Sequence, residues 1–272
     1  MGASISKITD DVYLGNLTGA QTLETLQEYN ITHIICLHDS PFFPDKFQYL
    51  EIFAFDIPDF LLLDHFEKTY DFIENAIKSN GKVFIHCAAG VSRSPTIVIA
   101  YFMKKNNWDY QEAHDFVNER RRISPNEGFQ YQLQLWKKLD YQLEGKSESH
   151  KIYKKMKSIN LANEFINTKA AFWNEVKKNT ITENQIWDSI SQLISILNPE
   201  YLFFEEKEFN SIQKMIEEKD SRIKSLFLEL YNGVFEQSFY VEGYMEIEST
   251  LFLHFIKPLQ KLFKPEKDNQ EK

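Results

Sequence analysis

Fourteen consecutive residues, Val83-Phe-Ile-His-Cys-Ala-Ala-Gly-Val-Ser-Arg-Ser-Pro-Thr96, constrain the fold more than any other stretch of the chain. A β-branched and aromatic run ends at His86 and Cys87, which predicts a buried strand. Gly90 permits a tight turn, and a helix begins after Arg93. A strand leading through a turn into a helix needs further strands beside it. The apolar runs at 31–37 (ITHIICL), 49–55 (YLEIFAF) and 82–87 (KVFIHC) predict three of them. Stretches at 19–29, 64–79, 95–106, 110–121 and 127–143 repeat apolar residues at helical spacing. The alternation predicts an α/β domain with a central sheet flanked by helices. Asp109 is placed to cap the helix that follows it, and Asn30, Asn80-Gly81 and Gly145 punctuate element ends.

Composition shifts at Gly145. Residues 146–157 hold five lysines against one glutamate, so 146–158 reads as a Lys-rich hinge between a first domain, 1–145, and an extension, 159–272. The extension is a succession of amphipathic stripes, Ile186, Ile190, Leu193, Ile194 and Leu197, then Ile223, Leu226, Phe227, Leu230, Tyr231, Val234 and Phe235. Trp173, Trp187 and the run YLFFEEKEF read as its core. It carries no chemical motif, and its apolar content calls for packing on itself, on the first domain or on a protein partner.

Charge and cysteine usage exclude several classes. The net charge is −9, with 13 Lys and Arg against 20 Asp and Glu in residues 1–145 and 18 against 20 beyond, so the chain is not a general nucleic-acid binder. The two cysteines, Cys36 and Cys87, form no CxxC pair, which leaves neither a disulfide framework nor a structural zinc site and fits a reducing compartment. Cys36 reads as a small core residue. The longest apolar run, about eight residues ending at Met103, is far short of the roughly 20 that span a bilayer. The first residues, Met-Gly-Ala-Ser-Ile-Ser, lack a secretory core but match M-G-x-x-x-[ST], with Gly2 as the acylated residue and Ser6 in the required place.

Cys87 and Arg93 carry the chemistry. Five residues, Ala88, Ala89, Gly90, Val91 and Ser92, separate them, enough for one turn of backbone to aim successive N–H groups at the oxygens of a phosphate while the guanidinium closes the ring. The same dipoles favour a thiolate at Cys87. Such a thiolate can attack phosphorus in line, and the leaving oxygen then needs a proton from another loop. Asp56, at the end of YLEIFAF, and Asp59 are the candidates, Asp56 following the strand more directly. Ser94 can place its hydroxyl near the sulfur and help it leave in a second step. His86 reads as a loop support through ring hydrogen bonds. No metal or other cofactor is called for, because the nucleophile is already an anion.

HCAAGVSRSP resembles the active-site signature of cysteine-dependent protein phosphatases, in the HCxxGxSRS form of the dual-specificity branch. The resemblance covers about residues 1–143. MGASISKITDDVYLGN, THIICLHDS, YLEIFAFD, the helix around His65 to Ile73 and ISPNEGFQYQL are similar to the small myristoylated atypical dual-specificity phosphatases. It implies a protein tyrosine phosphatase-like sheet, Cys87 as nucleophile, Arg93 as phosphate clamp, Ser94 as second-step hydroxyl, Asp56 as general acid and Asn126 as a loop-supporting side chain. It implies phosphorylated proteins as partners, and peripheral contact with the inner face of the plasma membrane through N-myristoyl Gly2 on a cytoplasmic protein. The chain departs from the family after the acid, where Ile-Pro-Asp-Phe-Leu-Leu-Leu replaces a polar stretch. A phosphate-recognising scaffold acting through the helical extension is the competing reading, against which the intact Cys87, Arg93, Ser94 and Asp56 stand.

Overall fold

The computed structural model describes residues 4–38, 40–168, 170–178, 180–198, 202–236, 251 and 255–263, so Gly2 lies outside the described residues. The chain divides into two compact units, Met1–His150 and Lys151–Lys272. Among the described residues no helix is long and apolar enough to cross a membrane.

The first unit is built on a five-stranded sheet of β1 (Ile5–Lys7), β2 (Val12–Gly15), β3 (His33–Cys36), β4 (Gln48–Glu51) and β5 (Val83–His86), in the order β1-β2-β5-β3-β4. Only β1 runs antiparallel to its neighbour. β5 lies in the middle, in register with Val12–Gly15 on one side and His33–Cys36 on the other, and all four of its residues are buried. That explains its unbroken apolar run, since a central parallel strand has no face to give to water. β1 and β2 escape the sequence prediction because neither lies in a marked apolar run: β1 is Ile-Ser-Lys, and β2 ends at Gly15 after three residues.

The strand predicted over 49–55 pairs only through Glu51, because β3 ends at Cys36 and the last ladder bond runs from Ile52 N–H to the Cys36 carbonyl. The chain beyond keeps the alternation of a strand without a partner: Ile52 and Ala54 are buried, Phe53 and Phe55 exposed.

Around the sheet lie α1 (Leu17–Ala20), α2 (Leu23–Glu28), a 3-10 turn (Leu62–His65) leading into α3 (Phe66–Lys78), α4 (Arg93–Asn106), α5 (Tyr110–Asn118) and α6 (Glu127–Lys138). The helix predicted over 19–29 is therefore two short ones, the first capped by the Asn16 side chain accepting from Gly19 N–H. The helix predicted to reach 143 stops at Lys138, after which Asp140 and Tyr141 take left-handed φ values of 52° and 58°. Asn30, Asn80 and Asn107 end α2, α3 and α4 with φ near +55°, a region asparagine tolerates better than other side chains. α4 is the core helix: every residue from Arg93 to Met103 is buried.

The second unit comprises α7 (Glu148–Thr168, its first residues in the first unit), α8 (Ala170–Lys177), α9 (Glu183–Leu197), α10 (Glu206–Glu217), α11 (Ser221–Glu236) and a short helix at Lys257–Lys261. The stretch read as a Lys-rich hinge is thus helical from Glu148 onward. Its Lys, Met and Ile residues are adequate helix formers, and Ser147 Oγ accepts from His150 N–H to start the turn. The unit has its own core. Ile186, Ile190, Leu193, Ile194, Leu197, Ile223, Phe227 and Leu230 are buried together with Trp187 and Phe204. The side chains of Trp173, Tyr231, Val234 and Phe235 lie outside the described residues.

The cap read from sequence at Asp109 is a full capping box, Asp109 Oδ1 accepting from Glu112 N–H at 2.9 Å and Glu112 Oε2 from Asp109 N–H at 2.8 Å. Asp109→Ala is expected to cost about 1 kcal/mol and Asp109→Asn, which keeps an acceptor, distinctly less. Urea unfolding of the full chain, followed by circular dichroism, checks both.

Candidate active site

The site begins where β5 ends. Cys87 is 1% exposed, and because β5 is bonded on both sides its position is set by the sheet. Two donors reach its sulfur: Gly90 N–H at 3.2 Å and Ser94 Oγ at 3.2 Å, the latter from the first turn of α4.

The loop after Cys87 is shaped from outside. Four consecutive carbonyls face away from its centre: Ala88 accepts from Leu17 N–H at 3.0 Å, Ala89 from Arg121 Nη2 at 3.3 Å, Gly90 from Arg121 Nε at 2.8 Å, and Val91 from Ser124 N–H at 2.8 Å. A peptide unit is planar and trans, so a carbonyl turned out turns the next N–H in. The N–H groups of Ala89, Gly90, Val91 and Ser92 therefore point toward the sulfur side, adding to the N-terminus of α4. Gly90 holds φ at +66°, and a Cβ there would overlap the Gly15 carbonyl, so no other residue fits the turn.

Arg93, 9% exposed, is anchored by one edge: Nη1 donates to the Leu37 carbonyl at 3.2 Å and the Ala54 carbonyl at 3.0 Å. Its Nε is buried and makes no hydrogen bond, with Asp56 Oδ2 3.6 Å away, close enough for attraction and too far for a bond. A buried donor left in this condition is a place for a ligand oxygen.

Asp56 is brought to the loop from the end of the unpaired extended segment. Its Oδ1 accepts from Ser92 Oγ at 2.6 Å and from Asn126 Nδ2 at 3.0 Å. Asn126 also donates its N–H to Ser92 Oγ at 3.2 Å and caps α6 by accepting from Phe129 N–H at 3.0 Å. Its implied supporting role thus takes a definite form, a bridge between the acid loop, the phosphate loop and a helix start. Asp59 is half-buried, and burial raises its carboxyl above the ordinary range. The contacts with Ser92, Asn126 and Arg93 belong to Asp56. The acid loop rests closely on α6: a Cβ at Gly128 would overlap the Pro58 carbonyl. His86 is buried and stacks on Phe84, with ring centroids 5.4 Å apart, on the strand rather than at the mouth.

Arg121 is the middle one of three consecutive arginines just beyond α5. It donates to Ala89, to Gly90 and to Ser6 Oγ at 3.2 Å on β1. Burial lowers its basicity and the nearby Cys87 works the other way. Only the triplet Arg120-Arg121-Arg122 before ISPN could have pointed to it, and nothing distinguishes its middle member. Loss of a charged donor to two carbonyls is worth about 1.5 to 3 kcal/mol, so Arg121→Ala should weaken inorganic phosphate binding roughly tenfold or more. Arg121→Lys should not restore it, because one ammonium cannot imitate the fork. Protection of Cys87 from iodoacetate by phosphate measures both.

Comparison with known proteins places this geometry. The family described as dual specificity phosphatase, catalytic domain, matches residues 12–139. Dual specificity protein phosphatase MPK-4 of Drosophila melanogaster is 37% identical over 161 residues, 56% of this chain and 41% of that protein, so the chain spans less than half of this relative's length. Dual specificity protein phosphatase 22-B of Danio rerio is 42% identical over 137 residues, 49% of this chain and 74% of that protein. Among solved structures, the crystal structure of DUSP15 is similar at 30% identity and a TM-score of 0.48, covering 57% of this chain and 96% of that one. The matches concentrate on the unit that carries Cys87, Arg93 and Asp56, and through that unit the chain belongs to the dual specificity phosphatase family.

Proposed function

We propose that this chain removes phosphate from phosphotyrosine and from phosphoserine or phosphothreonine in proteins, through a phosphocysteine on Cys87. The observation that carries the reading is the meeting of the Ser94 hydroxyl and the Gly90 N–H at the Cys87 sulfur, beside a buried Arg93 Nε that makes no hydrogen bond. Two phosphate oxygens suit the free edge of Arg93, and the others suit the inward N–H groups of Ala89 to Ser92. The Cys87 thiolate attacks phosphorus, the bond to the leaving oxygen breaks, and that oxygen takes the proton of the Asp56 carboxyl. In the second step water attacks phosphorus and gives its proton to Asp56. The P–S bond breaks, and the Ser94 hydroxyl donates to the departing thiolate.

Asp56 is preferred to Asp59 on geometry, although burial raises the Asp59 carboxyl above the ordinary carboxylate range. A proton donor must first reach its acceptor, and Asp56 is the carboxylate touching the loop. The chemistry is metal-independent, the N–H groups and Arg93 balancing the phosphate charge. N-myristoylation at Gly2 is part of the proposal, with a cytoplasmic location and reversible contact with the inner leaflet, since one acyl chain holds a protein only marginally. The second unit is proposed to receive a protein partner, and signal transduction is the setting such a phosphatase fits.

Turnover of an aryl phosphate and of phosphopeptides in EDTA and reductant tests the reading. Cys87→Ser and Arg93→Ala should lose about a thousandfold or more, and Asp56→Asn about a hundredfold or more. The Asp56→Asn loss should be greatest for phosphoserine, whose leaving alkoxide most needs a proton, and Asp59→Asn should stay near wild type. A reversed order of the two aspartates would move the acid to Asp59. A wild type that binds phosphopeptides without turnover would make the chain a recognition module.

A further inference from the structure

Two residues just before Asp56, Phe53 and Phe55, are not used by the mechanism, and they form an exposed aromatic ridge. Phe53 is 73% exposed and Phe55 43% exposed, although an aromatic ring in water forgoes most of what its burial would contribute. The two rings meet edge to face with centroids 5.1 Å apart, Phe55 meets Phe60 at 6.4 Å, and Phe60 stacks on His65 at 6.3 Å. The ridge is fixed rather than fortuitous, because the extended backbone buries Ile52 and Ala54 and the Ala54 carbonyl accepts from Arg93. Alternation then forces Phe53 and Phe55 outward.

Position ties the ridge to the site. Phe55 directly precedes Asp56, whose carboxylate is bonded to Ser92 of the phosphate loop, so their Cα atoms are about 3.8 Å apart. On the loop itself, Val91 is 38% exposed, adding an apolar side chain at the site. The surrounding unit has the wrong sign for acidic ligands: 13 Lys and Arg face 20 Asp and Glu across residues 1–145.

We propose that Phe53 and Phe55 form a specificity surface that takes apolar or aromatic side chains flanking the phosphorylated residue of a protein substrate, in preference to acidic ones. This rests on the phosphatase reading above. The occupant is the substrate chain because the ridge is continuous with the site that receives its phosphate. The polypeptide leaving that site on the Asp56 side meets Phe55 first and Phe53 next.

The test is kcat/KM on three phosphotyrosine peptides that differ only in their flanking residues, with Leu and Phe, with Ala, or with Glu, for the full chain and for Phe53→Ala/Phe55→Ala. Wild type should favour the apolar peptide over the acidic one about tenfold, and the double variant should reduce that ratio to about twofold or less. Phe53→Leu, which keeps an apolar side chain, should retain most of the preference. Equal rates for the three peptides in wild type, or a preference surviving in the double variant, would overturn the inference and leave the phosphatase reading standing. Failure to turn over any phosphopeptide would overturn the phosphatase reading itself and this inference with it. Co-sedimentation with phosphatidylcholine–phosphatidylserine vesicles, lost in the double variant and unaccompanied by a peptide preference, would make the ridge a membrane contact and overturn the inference.

Discussion

The outward hydrogen bonds of the loop carbonyls from Ala88 to Val91 are the constraint on which the rest of the site depends. Backbone N–H groups can face an anion only if the carbonyls attached to them face something else. Here that role falls to Leu17 at the start of α1, to Arg121 after α5 and to Ser124 before α6. These come from two separate parts of the chain, residue 17 and the segment 121–124, so the loop is held from outside by the folded unit rather than by its own sequence. A site prepared in this way has its dipoles aimed before the ligand arrives, which is where most electrostatic stabilisation originates.

The same economy governs the acid. One side chain, Asn126, joins Asp56 to Ser92 and caps α6, so the acid loop, the phosphate loop and the helix share one hydrogen-bonded junction. Ser92 is the hinge of that junction, donating to Asp56 and accepting from Asn126 N–H. Gly128 completes it by letting the Pro58 backbone lie against α6. Arg93 contributes from below, one edge bonded to Leu37 and Ala54 carbonyls on two neighbouring segments, the other turned toward Asp56.

The sequence made the chemistry legible and left the scaffolding partly hidden. Cys87, Gly90, Arg93 and Ser94 lie within eight residues, so their relation is local and a spacing argument reaches it. Asp56 could be found as a carboxylate at a strand end and preferred to Asp59 because it follows the run more directly, while its contacts with Ser92 and Asn126, 36 and 70 residues away, were out of reach of any spacing argument. Arg121 was hidden for a different reason: its contacts reach back 31 residues to Gly90 and 115 to Ser6, and nothing local marks them. Of the fold, the long periodic elements and the marked apolar runs were legible, while β1 and β2 lie in no such run and the segment 146–158 misled through its charge, which does not stop a helix. The extension's stripes were read as packing surfaces, and their members Ile186, Ile190, Leu193, Ile194, Leu197, Ile223, Phe227 and Leu230 lie buried in a core of the second unit's own.

The account's central claim is that phosphorus is transferred to the Cys87 sulfur. It is tested most directly by quenching a reaction of the Ser94→Ala chain with an aryl phosphate in acid and locating phosphate on the peptides by mass spectrometry. Ser94 Oγ lies 3.2 Å from the sulfur and assists its departure, so its removal should slow the second step and let the phosphoenzyme accumulate. The account predicts phosphate on the peptide containing Cys87, bound as an S-phosphate. Product release with no phosphoenzyme at any time, or phosphate on a residue other than Cys87, would contradict it.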